Sequence, residues 1–186
     1  FKKIRFKEKN QCVYTGSLLR GKGIEIIKKL ADLNPKIKFN IYGDINDLAS
    51  ENVEILKKKN MNCYNHVNYF QIPKILSKHK ILLMPYQKKV FGIGKSQFMS
   101  PMKMFDYLAS GKIILASKLK VYEHVLKNNK NSFLVHSDNI DQWNYMLRKI
   151  FYSKNQYKDI RNNALKTATK YTWVKRVQKI IRFKKI

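Results

Sequence analysis

Acidic side chains are scarce in this 186-residue chain: 12 Asp and Glu stand against 39 Lys and Arg, a formal net charge of +27 at pH 7. Such an excess draws anionic ligands and acidic membrane surfaces to the molecule without selecting among them. Arginine is scarce as well, with six Arg against 33 Lys. Base reading and bidentate phosphate contacts favour Arg, and the Lys are spread through the chain, so no specific nucleic-acid partner is expected. Cysteine is limited to Cys12 and Cys63, each inside an apolar, strand-like run. That excludes a disulfide scaffold and reads as two reduced core thiols of a cytoplasmic protein. No apolar run reaches the roughly 20 residues of a membrane span, and the opening Phe1 to Lys7 lacks the apolar core of a signal peptide. The chain does not begin with Met, which leads us to expect a soluble piece of something longer. His66, His79, His124 and His136 have no ligand spacing, so no metal site is expected, and no Ser-His-Asp or Cys-His set stands out.

What is present is an alternation of short apolar runs with amphipathic stretches. Strands are expected at Cys12 to Thr15, Ile37 to Tyr42, Met61 to His66, Ile81 to Met84, Ile113 to Ala116 and Phe133 to Val135. Helices are expected at Lys22 to Leu33, Leu48 to Lys59, Ile72 to Lys78, Ser100 to Ser110, Val121 to Lys127 and Asn139 to Tyr152. Gln87 to Met99 reads as a loop, and two more helices, Gln156 to Lys170 and Thr172 to Lys184, finish the chain. Uniformly apolar strands joined by helix-length crossovers predict a Rossmann-like three-layer α/β/α domain on a six-stranded parallel sheet. In such sheets ligands bind where strands end and helices begin, which selects Thr15 to Gly23, Gly43-Asp44, the loop after Pro85 and Ser117 to Val121.

Two of these turns are chemically suggestive. Ser100-Pro101-Met102-Lys103 reads as a capped helix start, with Gly111 as its left-handed stop. Lys103 then sits in a first turn where the helix dipole disfavours a cation, and a bound phosphate would give it a purpose. Asp106, on the same face, could receive ribose hydroxyls; the alternative is a solvated Lys and Asp pairing across one turn. The other turn is Gly16-Ser17-Leu18-Leu19-Arg20-Gly21-Lys22-Gly23. It nearly fits the P-loop pattern, but Gly23 stands where that motif needs a hydroxyl for Mg²⁺. Its glycines and Lys22 suit a diphosphate without a strict metal requirement. Glu123 is read as a surface carboxylate, and Met99, Met102 and Met104 as packing.

Taken in order, these residues resemble the carboxy-terminal, donor-binding half of family 4 retaining glycosyltransferases of GT-B fold. Val13 to Ser17 with Lys22-Gly23, Ile41 to Asp44, Ile81 to Tyr86, Ser100 to Ser117, Asn131 to Val135 and Tyr171 to Trp173 carry the likeness. The resemblance implies that residues 1–186 form a nucleotide-sugar donor domain, with a leading linker at 1–10, a terminal helix at 171–186 and the amino-terminal acceptor domain absent. It implies that Gly16 and Ser17 let the backbone approach the donor, that Lys22 and Lys103 neutralise its diphosphate, that Ser100 and Pro101 open the binding helix, and that Asp106 takes the ribose. Lys22 and Lys103 would be the catalytic residues. No cofactor is implied; the acceptor would be a saccharide or a lipid-linked sugar, in polysaccharide, lipopolysaccharide or glycolipid synthesis on the cytoplasmic face of the membrane. Two departures stand out: Ser17 replaces a frequent Arg, and Phe98 replaces a carboxylate eight residues before Asp106. The alternatives are a non-enzymatic basic module for nucleic acid or membrane, and a nucleotide-sugar epimerase of GT-B architecture.

Overall fold

The computed structural model describes residues 8–48, 50–90, 94–95, 102–154 and 157–183, without the side chains of 51, 89, 90, 94, 95 and 183. Strand β1 is Lys9–Thr15, β2 Phe39–Tyr42, β3 Met61–Tyr64, β4 His79–Met84, β7 Ile113–Ser117 and β8 Phe133–Val135, with a small hairpin of β5 (Lys89–Val90) and β6 (Gly94–Lys95) between them. The six long strands form one sheet in the order β3-β2-β1-β4-β7-β8, every pair parallel. Their side chains explain this: Cys12 to Tyr14, Ile81 to Met84 and Ile113 to Ala116 are buried on both sheet faces, as strands roofed on both sides must be.

The roofs are helices. On one side α1 (Ile24–Leu33) touches α4 (Ile140–Tyr152); on the other, α3 (Lys103–Ser110) touches α2 (Ile72–Ser77) and α5 (Lys158–Ala168). Helix α1 buries Ile24, Ile27, Leu30 and Ala31, the three-to-four spacing of one helical face. Helix α4 starts where Asn139 accepts a hydrogen bond from the Gln142 amide, and it sinks Trp143 into the core with its indole N–H donating to the His136 carbonyl. Helix α3 stops at Gly111, whose left-handed φ of 62° suits a residue without Cβ.

Several boundaries differ from expectation. Strand β1 begins at Lys9, inside the expected linker, and Glu8 already holds Lys112 at 2.5 Å and Arg161 at 2.8 Å. Of the residues expected as helices, 48–59 are mainly 3₁₀, Ser50–Lys57, whereas 121–127 hold the end of a 3₁₀ turn, Lys120–Tyr122, followed by irregular turns. The loop after Pro85 contains the β5–β6 hairpin, and His79 is buried with its ring between Asn40 and the Ile75 carbonyl. Met104 packs in the core, whereas Met102 is exposed. The terminal helix, α6 (Trp173–Phe183), is exposed along residues 173–182. Among the described residues no helix is long and apolar enough to cross a membrane.

Candidate donor site

Strand order reverses between β1 and β4, so the chains leaving their carboxyl ends diverge and open a crevice. The turn after β1 is shaped by glycines. Gly16 has φ 128°, and its amide donates to the Tyr42 carbonyl. A Cβ on Gly23, at φ 90°, would lie 2.0 Å from the Pro85 carbonyl oxygen, so only glycine lets the head of α1 sit against the end of β4. Neither α1 nor α3 has a side-chain hydrogen bond at its N-cap. In α3 the N-cap is Met102, which makes Lys103 the first helical residue; Ser100 and Pro101, expected to start this helix, and Phe98 lie outside the described residues.

A cleft of about 390 Å³ lies at this rim, bounded by Gly16, Ser17, Tyr42, Gly43, Asp44, Asp47, His66, Tyr69, Lys103 and Asp106, among others. The structure therefore brings Gly16, Ser17, Lys103 and Asp106 to one wall. Lys22 is not on that wall but stands 4.8 Å from the centre of the Tyr86 ring, as does the Lys103 Nζ. The two lysines predicted from separate motifs thus converge on one aromatic ring. Ser17 directs its hydroxyl to Asp47 at 3.1 Å, and its carbonyl accepts from the Tyr14 hydroxyl at 2.7 Å.

Lys103 is in an unusual state. Its Nζ is buried, lies 3.8 Å from the centre of the Tyr14 ring and, among the described residues, has no hydrogen-bond partner. A Cβ on Gly16 would come within 2.6 Å of it, so a side chain at 16 would displace the amine. Cation–π contact with a ring contributes about 2 kcal/mol when desolvated. Burying an ammonium costs several kcal/mol, and among the described residues no carboxylate pairs with Nζ. Burial pushes the amine well below the ordinary lysine range, and the neighbouring Lys22 charge pushes the same way. Lys22 is lowered by burial too. Lys103 thus stands on the cleft wall as a buried amine without a hydrogen-bond partner among the described residues, the kind of perturbed group that clusters at functional sites.

Asp106, one turn along α3, accepts a hydrogen bond from the Tyr69 hydroxyl at 2.8 Å. Burial raises its carboxyl pKa while that hydrogen bond acts against the rise. Glu123 is exposed away from the cleft. The expectation of a solvated Lys103–Asp106 pair fails because Lys103 points into the tyrosines and Asp106 to Tyr69.

The residues that sequence reasoning missed are the tyrosines. Tyr14, Tyr86, Tyr107 and Tyr122 are all buried behind the lysines, with Tyr86 and Tyr122 ring centres 6.5 Å apart. Tyr107 accepts from the Thr15 amide at 2.9 Å and from its hydroxyl at 3.3 Å, tying α3 to the end of β1. Tyr42 and Tyr64 stack at 4.5 Å beside the cleft. In the sequence, Tyr in a buried strand is indistinguishable from core. The available signal was their position: each of Tyr14, Tyr42, Tyr64 and Tyr86 stands at or just past a strand's carboxyl end.

Comparison with known proteins gives the family and the fold. The family described as "Glycosyl transferases group 1" matches residues 1–167. Sucrose-phosphate synthase from Thermosynechococcus elongatus superposes with a TM-score of 0.78 at 12% identity, over 94% of this chain and 45% of that one. HepE from Anabaena, solved in complex with UDP and glucose, gives 0.73 at 15% identity, over 94% of this chain and 48% of that one. The C-terminal domain of LpcC, a group 1 family protein from Francisella tularensis, gives 0.67 at 14% identity, over 88% of this chain and 86% of that one. The chain thus spans less than half of the two larger proteins, as one of the two halves of a GT-B glycosyltransferase fold. No curated protein matches it in sequence. The sequence match along nine-tenths of its length places the chain in the glycosyl transferases group 1 family.

Proposed function

We propose that this domain binds a nucleotide-diphosphate sugar and presents it for transfer of a hexosyl group, with retention of configuration, to a saccharide or lipid-linked acceptor held by a second domain. The observation that carries the reading is the buried Lys103 amine on the cleft wall, without a hydrogen-bond partner among the described residues and sharing the Tyr86 ring with Lys22. As the glycosidic bond breaks, the departing diphosphate gains negative charge. Lys22, Lys103 and the uncapped amides of α1 and α3 would stabilise that charge more than the ground state, which is the requirement for catalysis. The lysines supply the charge in this reading, so no metal is assigned to it. Gly16 and Ser17 offer backbone to the diphosphate and Asp106 takes the ribose; Ser100 and Pro101 are assigned to the head of the same helix. Ser17 brings no charge to the turn after β1, whereas the Lys103 amine of α3 reaches the same turn at Gly16. The sugar passes into surface polysaccharide, lipopolysaccharide or glycolipid, made by an enzyme lying against an acidic cytoplasmic membrane face.

Calorimetry with UDP-glucose and GDP-mannose tests the site. Lys103→Ala and Asp106→Ala together are expected to weaken binding at least tenfold, about 1.4 kcal/mol, and unchanged affinity would sink the assignment. A basic nucleic-acid module is separated by a salt titration: its affinity for DNA would fall steeply with ionic strength and would ignore the sugar nucleotides.

A further inference from the structure

We propose that filling the seat between Lys22 and Lys103 is coupled to the uptake of one proton by the Lys103 amine. The proposal rests on the donor reading above and adds a property that this reading does not require.

It stands on what surrounds Nζ. From β1 comes the Tyr14 ring at 3.8 Å, from the chain after β4 the Tyr86 ring at 4.8 Å, and against Tyr86 from the turn before α1 comes Lys22. Helix α3 itself contributes Tyr107, whose hydroxyl is committed to Thr15, and Asp106, whose carboxylate is engaged by Tyr69. Tyr122 lies behind Tyr86. The four tyrosines are neutral, since burial raises every one of their phenols, Tyr86 up to about 12. Among the described residues none of these groups accepts a hydrogen bond from Nζ, and the neighbouring charge of Lys22 is positive. An ammonium here would be buried without an acceptor, whereas a neutral amine loses much less on leaving water. A diphosphate at Gly16 reverses the balance by placing anionic oxygens against the amine. The amine then takes a proton from the solvent buffer, R–NH₂ plus H⁺ giving R–NH₃⁺, and the buffer acid is left deprotonated.

The test is calorimetry of the 186-residue chain with UDP at pH 7.5, repeated in buffers of small and large ionisation enthalpy. The expected slope of observed heat against buffer enthalpy corresponds to about one proton taken up. Lys103→Met should bind at least tenfold more weakly with the slope reduced to near zero, while Lys22→Met weakens binding and keeps it. Should Lys103→Met fail to fold, lysine Nζ–Cε NMR of the unaltered chain gives the same answer: the Lys103 signals must move from amine to ammonium positions when UDP is added. Binding of UDP with no buffer dependence, or a slope that survives in Lys103→Met, overturns the coupling and leaves the donor site standing. If UDP, GDP and inorganic pyrophosphate all fail to bind, the seat holds no anion and both readings fall.

Discussion

A lysine whose neighbours are two rings and another lysine gives the empty domain little in return for its burial, so its removal should help folding while harming binding. Lys103→Met is expected to stabilise the unliganded chain by about 1–2 kcal/mol, the size of a typical gain at a site strained for function. For a domain of this length that is a rise in Tm of about 2–8 °C. The pH dependence follows the same residue. Its folded pKa lies below the ordinary lysine value of about 10.4, so in between the unfolded chain holds a proton that the folded chain lacks. Stability of the empty domain therefore falls as pH drops through that window, and thermal melts of Lys103→Met should show a shallower slope there. Gly23 is the opposite kind of residue, wholly structural. Gly23→Ala adds a methyl 2.0 Å from the Pro85 carbonyl at a φ of 90°, a strain of about 1–3 kcal/mol before the clash is counted. Gly111→Ala, also strained by its φ of 62°, meets the flexible Leu165 side chain first rather than backbone, and urea unfolding should find it the milder change.

At the scale of elements, the site depends on how α3 is fixed to the sheet. Tyr107 fixes it, because its hydroxyl is the acceptor for the Thr15 amide at the very end of β1. Tyr107→Phe leaves a buried N–H without its partner and is expected to cost about 1–3 kcal/mol in denaturant unfolding. It should also weaken nucleotide binding, since α3 carries both Lys103 and Asp106 toward the turn after β1. The elements read best from the sequence were those whose physics is local. Ile81 to Met84 and Ile113 to Ala116 are apolar throughout, and parallel burial leaves them no other role. Asn139 and Gly111 punctuate their helices through their own side chains or lack of one. Residues 50–57 deceived because Asn52 and Ile55, three apart, bury equally well in a 3₁₀ turn. The β5–β6 hairpin escaped because two-residue strands carry no alternation. Lys22, Lys103 and Asp106 were legible as charges out of place, whereas the tyrosines around them become a box only once β1, β4 and α3 meet.

At the scale of the molecule, 27 excess positive charges repel one another in the compact state more than in the unfolded one. The described ion pairs are few and mostly exposed: Lys28–Glu54, Lys58–Asp32 and Lys88–Asp138 lie at the surface, and only Glu8, held by Lys112 and Arg161, reaches inward. Exposed pairs contribute about 0–1 kcal/mol each and do not offset such a field. Salt shortens the reach of the repulsion from about 30 Å at 0.01 M to about 3 Å at 1 M. The empty domain should therefore gain stability with salt, and its Tm should climb by several degrees between those limits. Nucleotide binding should respond the other way but weakly, because the anion meets Lys103 inside the protein, where screening is poor. Melting curves with and without UDP across a salt series separate the two effects. A ligand-induced rise in Tm that persists at 0.5 M salt marks the enclosed seat between Lys22 and Lys103 as the binding site. A rise that vanishes there would assign the attraction to the diffuse surface charge instead.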